Sequence, residues 1–194
     1  LQSLIEELER VVKDKMSPLE GTAHSYEHVD RVVKIAVLLA KKEKADRELV
    51  QVAAILHDVG RGIGQPHNET GAKLASEILN NLQYPPEKTK KVARIVLLHD
   101  IGSESKLRSL EEKIVWDADK IDLLGAVGIA RGFHWCGKQS FDSAVKLAFE
   151  IYTPIYDLLN TKSARELAEK RNKETLSFLS ALTKELSLAD LGIS

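Results

Sequence analysis

A single cysteine, Cys136, stands in 194 residues, so no internal disulfide can form. No apolar run approaches the roughly 20 residues needed to span a bilayer. No window alternates apolar and polar residues strictly, as a half-buried strand would. No repeat, low-complexity tract or linker interrupts the chain. Neither charge sign prevails: 28 Lys and Arg stand against 29 Asp and Glu, a net charge of -1. That balance argues against general affinity for a nucleic acid polymer or an anionic membrane. The opening Leu1-Gln-Ser-Leu-Ile-Glu-Glu-Leu8 reads as an amphipathic helix rather than a signal peptide. These absences predict a cytoplasmic protein with no membrane partner. Histidine is missing from the last 60 residues, since His24, His28, His57, His67, His99 and His134 are all six of them.

What remains is an ordinary globular composition, 43% hydrophobic and 29% charged, long enough for one well-buried core. The length predicts one domain over 1–194. Apolar spacings of three and four predict helices over 2–15, 24–44, 46–58, 67–82, 86–99, 109–123, 125–135, 140–160 and 163–187, an all-α bundle. Asp46 is placed to cap the third helix, and Ser109 with Glu112 forms a capping-box pattern for the sixth. Gly60 and Gly62 stop the third. Pro154 falls inside the 140–160 stretch and predicts a kink near Ile151. The last two helices, with Leu147, Ile151, Ile155, Leu167, Leu176 and Leu179 at helical spacing, read as packing.

Within this frame His28, the adjacent His57-Asp58 and Asp119 fall on the apolar faces of separate helices. Unpaired ionisable groups facing a core are costly, so they normally have a partner. Four converging together would form a site for a divalent metal. Asp117 is rotated about 200° from Asp119 on a 3.6-residue period and faces elsewhere. Asp122, three residues on, is placed to orient a ligand or the helix around residue 120. The breaks after His57-Asp58 and after His99-Asp100 are where a substrate mouth is expected.

The order of these residues resembles the HD-domain metal-dependent phosphohydrolase superfamily. Ser25-Tyr-Glu-His-Val-Asp-Arg-Val32, Ala53-Ala-Ile-Leu-His-Asp-Val-Gly60 and Trp116-Asp-Ala-Asp-Lys-Ile-Asp-Leu-Leu-Gly-Ala-Val-Gly-Ile-Ala-Arg131 are similar to a compact bacterial and archaeal HD hydrolase subfamily. Leu159-Asn-Thr-Lys-Ser-Ala-Arg-Glu-Leu-Ala168 is similar to its tail, and the likeness spans roughly residues 20 to 187. The resemblance implies an HD-type helical bundle with a central metal site, its core over about 24–135 and packing helices over 140–187. It implies His28, His57, Asp58 and Asp119 as metal ligands.

Two imidazoles and two carboxylates suit Mn²⁺ first, with Fe²⁺, Co²⁺, Zn²⁺, Mg²⁺ or Ni²⁺ as alternatives. Asp58 is then placed to take a proton from the attacking water, and Arg61, Lys120 and Arg131 to contact substrate phosphate. His67 and His99 are candidates for phosphate binding or acid catalysis, for a second metal bridged by Asp58, or for a structural role. Where some HD nucleotidases place a glutamate three residues after the pair, this chain has Arg61. Arg31 either pairs with a carboxylate or contacts substrate. Trp116, Phe133 and Trp135 read as core or wall, and Cys136 as structural or lining. The implied activity is hydrolysis of a small phosphorylated molecule, foremost a deoxynucleoside triphosphate cleaved to monophosphate and pyrophosphate. A 5′-nucleotidase-type phosphomonoesterase and a nucleotide-binding sensor of weak turnover are the alternatives. A homodimer is a further expectation.

Overall fold

Leu49, Val50, Val52, Ala53, Ala54, Ile55 and Leu56 crowd one ten-residue stretch, and a helix apolar on every side must be enclosed by others. In the computed structural model, which describes residues 2–137 and 139–193, that stretch is the enclosed helix at the centre. The order is α1 (Gln2–Met16), α2 (Tyr26–Glu43), α3 (Arg47–Leu56), α4 (His67–Asn81), α5 (Pro86–Leu97), α6 (Leu110–Ile121), α7 (Gly125–Trp135), α8 (Phe141–Leu158) and α9 (Lys162–Leu186), with short 3₁₀ turns between. No strand occurs among the described residues. The all-α class is as predicted, and each helix lies within a few residues of its predicted span. None of the helices is long and apolar enough to cross a membrane.

Helix α3 packs against α1, α2, α5 and α6, while α4 pairs with α5 and α9 lies against α7 and α8. Asp46 caps α3 by accepting from the Leu49 amide at 3.0 Å. Ser109 and Glu112 cap α6 reciprocally, which fixes where that helix starts. Residues Ile114 to Ile121 of α6 are then all buried, polar ones included. Pro154 lies inside α8 without ending it.

Asp117 shows how α6 tolerates a carboxylate away from the predicted metal ligands. It is fully buried and accepts four hydrogen bonds: from the Asn160 amide and Nδ2 at 2.8 and 2.9 Å, and from the Thr161 amide and hydroxyl at 2.8 Å each. Thr161 is the N-cap of α9, so one side chain of α6 fixes the entry of the final long helix. Truncating it strands four donors in the interior. Asp117→Ala is expected to cost about 3 kcal/mol, seen as a fall in Tm of roughly 6–12 °C by calorimetry.

Candidate metal centre

His28 sits in the first turn of α2, His57 caps the end of α3, Asp58 follows in the turn, and Asp119 belongs to α6. Periodicity alone extended the third helix through Asp58; it ends at Leu56 instead. The chain turns at once, with the Val59 amide donating to the Leu56 carbonyl at 3.1 Å and the Arg61 amide to the Asp58 carbonyl at 3.0 Å. Gly60 makes the turn possible in a second sense. A Cβ there would collide with the His67 carbonyl and the Gly71 amide. Its absence lets the start of α4 close over the turn and bring His67 to Asp58.

Proton positions on the rings follow from their partners, because a carbonyl only accepts. Nδ1 of His57 donates to the Ala54 carbonyl at 2.8 Å, and Nδ1 of His99 to the Val96 carbonyl at 2.6 Å. Nδ1 of His28 donates to Asp122 Oδ2 at 2.8 Å. In the neutral rings every Nε2 is then a bare lone pair. The Nε2 atoms of His28 and His57 face one another at 3.3 Å, and Asp119 Oδ1 lies 3.3 Å from His28 Nε2. Asp58 Oδ2 is 3.8 Å from both rings. Acceptors arranged in this way repel unless a cation lies among them. Adjacent ligands on bonds of about 2.1 Å are separated by roughly 3.0–3.4 Å, so the donor set fits a divalent ion.

The electrostatics agree. Burial pushes the His57 imidazolium down to about 4, which leaves a neutral ring at pH 7. Burial opposes the charged form of His28 too, but Asp119 and Asp122 outweigh it and raise its pKa. Asp58 and Asp119 are buried, which favours protonation. His57 and Arg61 around the first, and Lys120 and His28 around the second, nevertheless hold both well below the usual carboxylate range.

Beyond the four predicted ligands lies a second cluster. Asp58 Oδ1 is 3.2 Å from His99 Nε2 and 3.9 Å from His67 Nε2, and His67 Nε2 is 3.1 Å from Asp100 Oδ2. Asp58 Oδ1 and both Nε2 atoms are buried without a hydrogen-bond partner, and their geometry could hold a cation. His24 also approaches, with Nδ1 3.4 Å from Asp58 Oδ2. It was given no role from sequence, because it precedes α2 in a turn where helical periodicity has nothing to count.

The cluster opens into a cavity of about 270 Å³. Arg61, Lys120 and Arg131 all line it. Arg61 Nε donates to Asp58 Oδ2 at 3.0 Å, and Lys120 Nζ to Asp119 Oδ2 and the His99 carbonyl. Arg131 directs Nε to the Ala23 carbonyl and Nη1 to Asp122 Oδ2 at 2.8 and 2.7 Å. Asp122 thus gathers His28, Arg31 and Arg131, and Arg31 pairs with a carboxylate. The reading of α8 as packing needs correction, since Ile151 and Tyr152 form part of the cavity wall. Trp116 is core, Trp135 is a half-exposed part of the wall, and Cys136 is buried beside a smaller apolar cavity.

Comparison with known proteins gives the family. Residues 25–124 match the HD domain family model. Over 180 residues the chain is 34% identical to the uncharacterized protein YpgQ of Bacillus subtilis, covering 86% of each. The crystal structure of that YpgQ in complex with ADP superposes with a TM-score of 0.76 at 28% identity, covering 93% of this chain and 97% of the other. An HD-superfamily hydrolase from Bacillus thuringiensis superposes with a TM-score of 0.77 at 31% identity, covering 95% and 97%. The buried histidine-aspartate cluster therefore lies within a family of known chemistry: this chain belongs to the HD-domain family and is a metal-dependent phosphohydrolase.

Proposed function

We propose that the chain hydrolyses a nucleoside triphosphate, foremost a deoxynucleoside triphosphate, to monophosphate and pyrophosphate. In this reading His28, His57, Asp58 and Asp119 hold the divalent ion, with Mn²⁺ the first choice among Fe²⁺, Co²⁺, Zn²⁺, Mg²⁺ and Ni²⁺. The observation that carries it is the convergence of bare Nε2 and carboxylate atoms at the floor of a cavity walled by Arg61 and Lys120. The ADP bound to YpgQ supports a nucleotide as the ligand class.

When bound, the ion acidifies a water and polarises a phosphoryl oxygen. Asp58 Oδ1, free of hydrogen bonds, takes the proton of the attacking water and passes it toward His99 Nε2, 3.2 Å away. Burial disfavours charge on His99, but Asp58 beside it raises its pKa, so the ring can keep that proton and act as the acid. His67 meets the phosphate from the start of α4, where a helix N-terminus adds its own attraction for anions. Arg61 and Lys120 balance the charge that develops on the departing phosphates, and Arg131 adds Nη2 from the cavity wall. Lys120 also holds Asp119 in place through Oδ2.

A second reading has one observation in its favour: Asp58 Oδ1, His67 Nε2 and His99 Nε2 form their own buried, unpartnered triad. A second cation bridged by Asp58 would satisfy all three. Metal analysis separates the two. One ion per chain fits the phosphate and acid roles, whereas two ions, the second lost in His67→Ala, fit the bridged centre.

Product analysis with Mn²⁺ and a panel of nucleoside mono-, di- and triphosphates tests the activity. Pyrophosphate release is expected, falling roughly 10³-fold or more in Asp58→Ala with helix content unchanged. Orthophosphate from monophosphates would instead indicate a nucleotidase, and binding without turnover a sensor. Asp122→Ala removes the group that orients His28 and pairs both arginines. It is expected to weaken metal binding roughly 10–100-fold, read directly by competition with a chelating dye.

A further inference from the structure

The lining of the cavity beside the metal centre is of two kinds. His24, Arg61, Asp119 and Lys120 belong to the cluster or touch it, whereas Leu123, Gly132, Trp135, Ile151 and Tyr152 form a largely apolar end away from those contacts. The apolar wall is a deliberate surface of α7. Gly128, Gly132 and Trp135 follow one another at spacings of four and three, so they share a helix face. The Tyr152 hydroxyl donates to the Gly128 carbonyl at 2.8 Å and sits where a Cβ of Gly132 would be. The absent side chain thus lets Tyr152 lie close against α7, leaving Trp135 to project beyond it. Trp135 is 53% exposed, an unusual condition for an indole that also lines a cavity. A smaller apolar cavity of about 20 Å³ continues behind this wall between α7 and α8.

The polar groups of this end are few and mostly committed. Tyr152 donates to the backbone, and Arg131 directs Nε and Nη1 to Ala23 and Asp122. The outer nitrogen of Arg131 serves the phosphates in the reading above, so what remains among the described side chains here is the Trp135 Nε1 donor. Every nucleobase offers acceptors, so one donor does not distinguish one base from another. A flat aromatic group has a π-face whatever its edge.

We propose that Trp135, backed by Ile151 and Tyr152, is the platform on which the base of the substrate stacks. The chain accordingly selects nucleotides by their phosphates and by the presence of a base, not by base identity. This rests on the nucleotide reading given above. It makes Trp135 a specificity residue on the apolar side of the cavity that Asp119 also lines.

Steady-state kinetics on the four deoxynucleoside triphosphates tests it with wild-type, Trp135→Ala and Trp135→Phe proteins. Wild-type kcat/KM values are expected to agree within roughly tenfold across the four bases, where a site reading base edges would separate them by roughly 10⁴. Trp135→Ala is expected to raise KM roughly 10- to 100-fold for all four with kcat within roughly threefold, and Trp135→Phe to restore most of the loss. A KM unmoved in Trp135→Ala, or a preference beyond 10³ for one base, overturns the platform while leaving nucleotide hydrolysis standing. Wild-type protein that neither hydrolyses nor binds any nucleotide overturns the nucleotide reading, and the platform with it.

Discussion

Where the protons sit on three buried imidazoles decides everything this structure can do. The Ala54 and Val96 carbonyls and the Asp122 carboxylate each accept from an Nδ1, so in their neutral forms His57, His99 and His28 turn bare Nε2 atoms toward one small volume. Two of these acceptors belong to the helix backbone itself, three residues before the histidine they hold. A histidine just past the end of a helix can reach back to a carbonyl that has lost its own helical partner. The same bond therefore satisfies the helix end and sets the tautomer of the ring.

Such a cluster is expensive to bury, and the surrounding helices are arranged around that expense. Seven residues of α3 are buried because four neighbouring helices cover it, and its C-terminal end is the floor of the site. Helix α6 buries Asp117, Asp119 and Lys120 in succession, each with a different partner: the N-terminus of α9, His28, and the His99 carbonyl. Asp122 ties α2 to α7 through His28, Arg31 and Arg131. Helices α2 and α6, which carry His28 and Asp119, are each pinned by charged contacts made by other residues, Arg31 on the first and Asp117 and Lys120 on the second.

Much of this was legible in the residues. Helical spacing located the nine helices of the described residues, and a count of 3.6 residues per turn separated Asp119 from Asp117; that the ligand Asp122 orients is His28 is visible only in the fold. The parts that escaped have physical reasons. His24 lies in a turn before α2, where no periodicity exists to reveal its direction. Ile151 and Tyr152 follow the same apolar spacing as their packing neighbours, and only the notch at Gly132 turns them into a cavity wall. Asp117 reads as turned away from Asp119, but its partners lie 43 and 44 residues on, a separation that local patterning does not reach. Gly60 read as a helix stop; that it also admits the backbone of α4 is visible only in three dimensions.

The proton placement is open to direct test by nitrogen NMR of the histidine rings in metal-free protein at pH 7, before and after addition of diamagnetic Zn²⁺. With its pKa lowered to about 4 by burial, His57 should appear neutral, protonated on Nδ1, and its Nε2 resonance should move to a metal-ligand shift on loading. A His57 protonated on Nε2, or an Nε2 resonance indifferent to the ion, would contradict the convergence of lone pairs on which the metal centre depends.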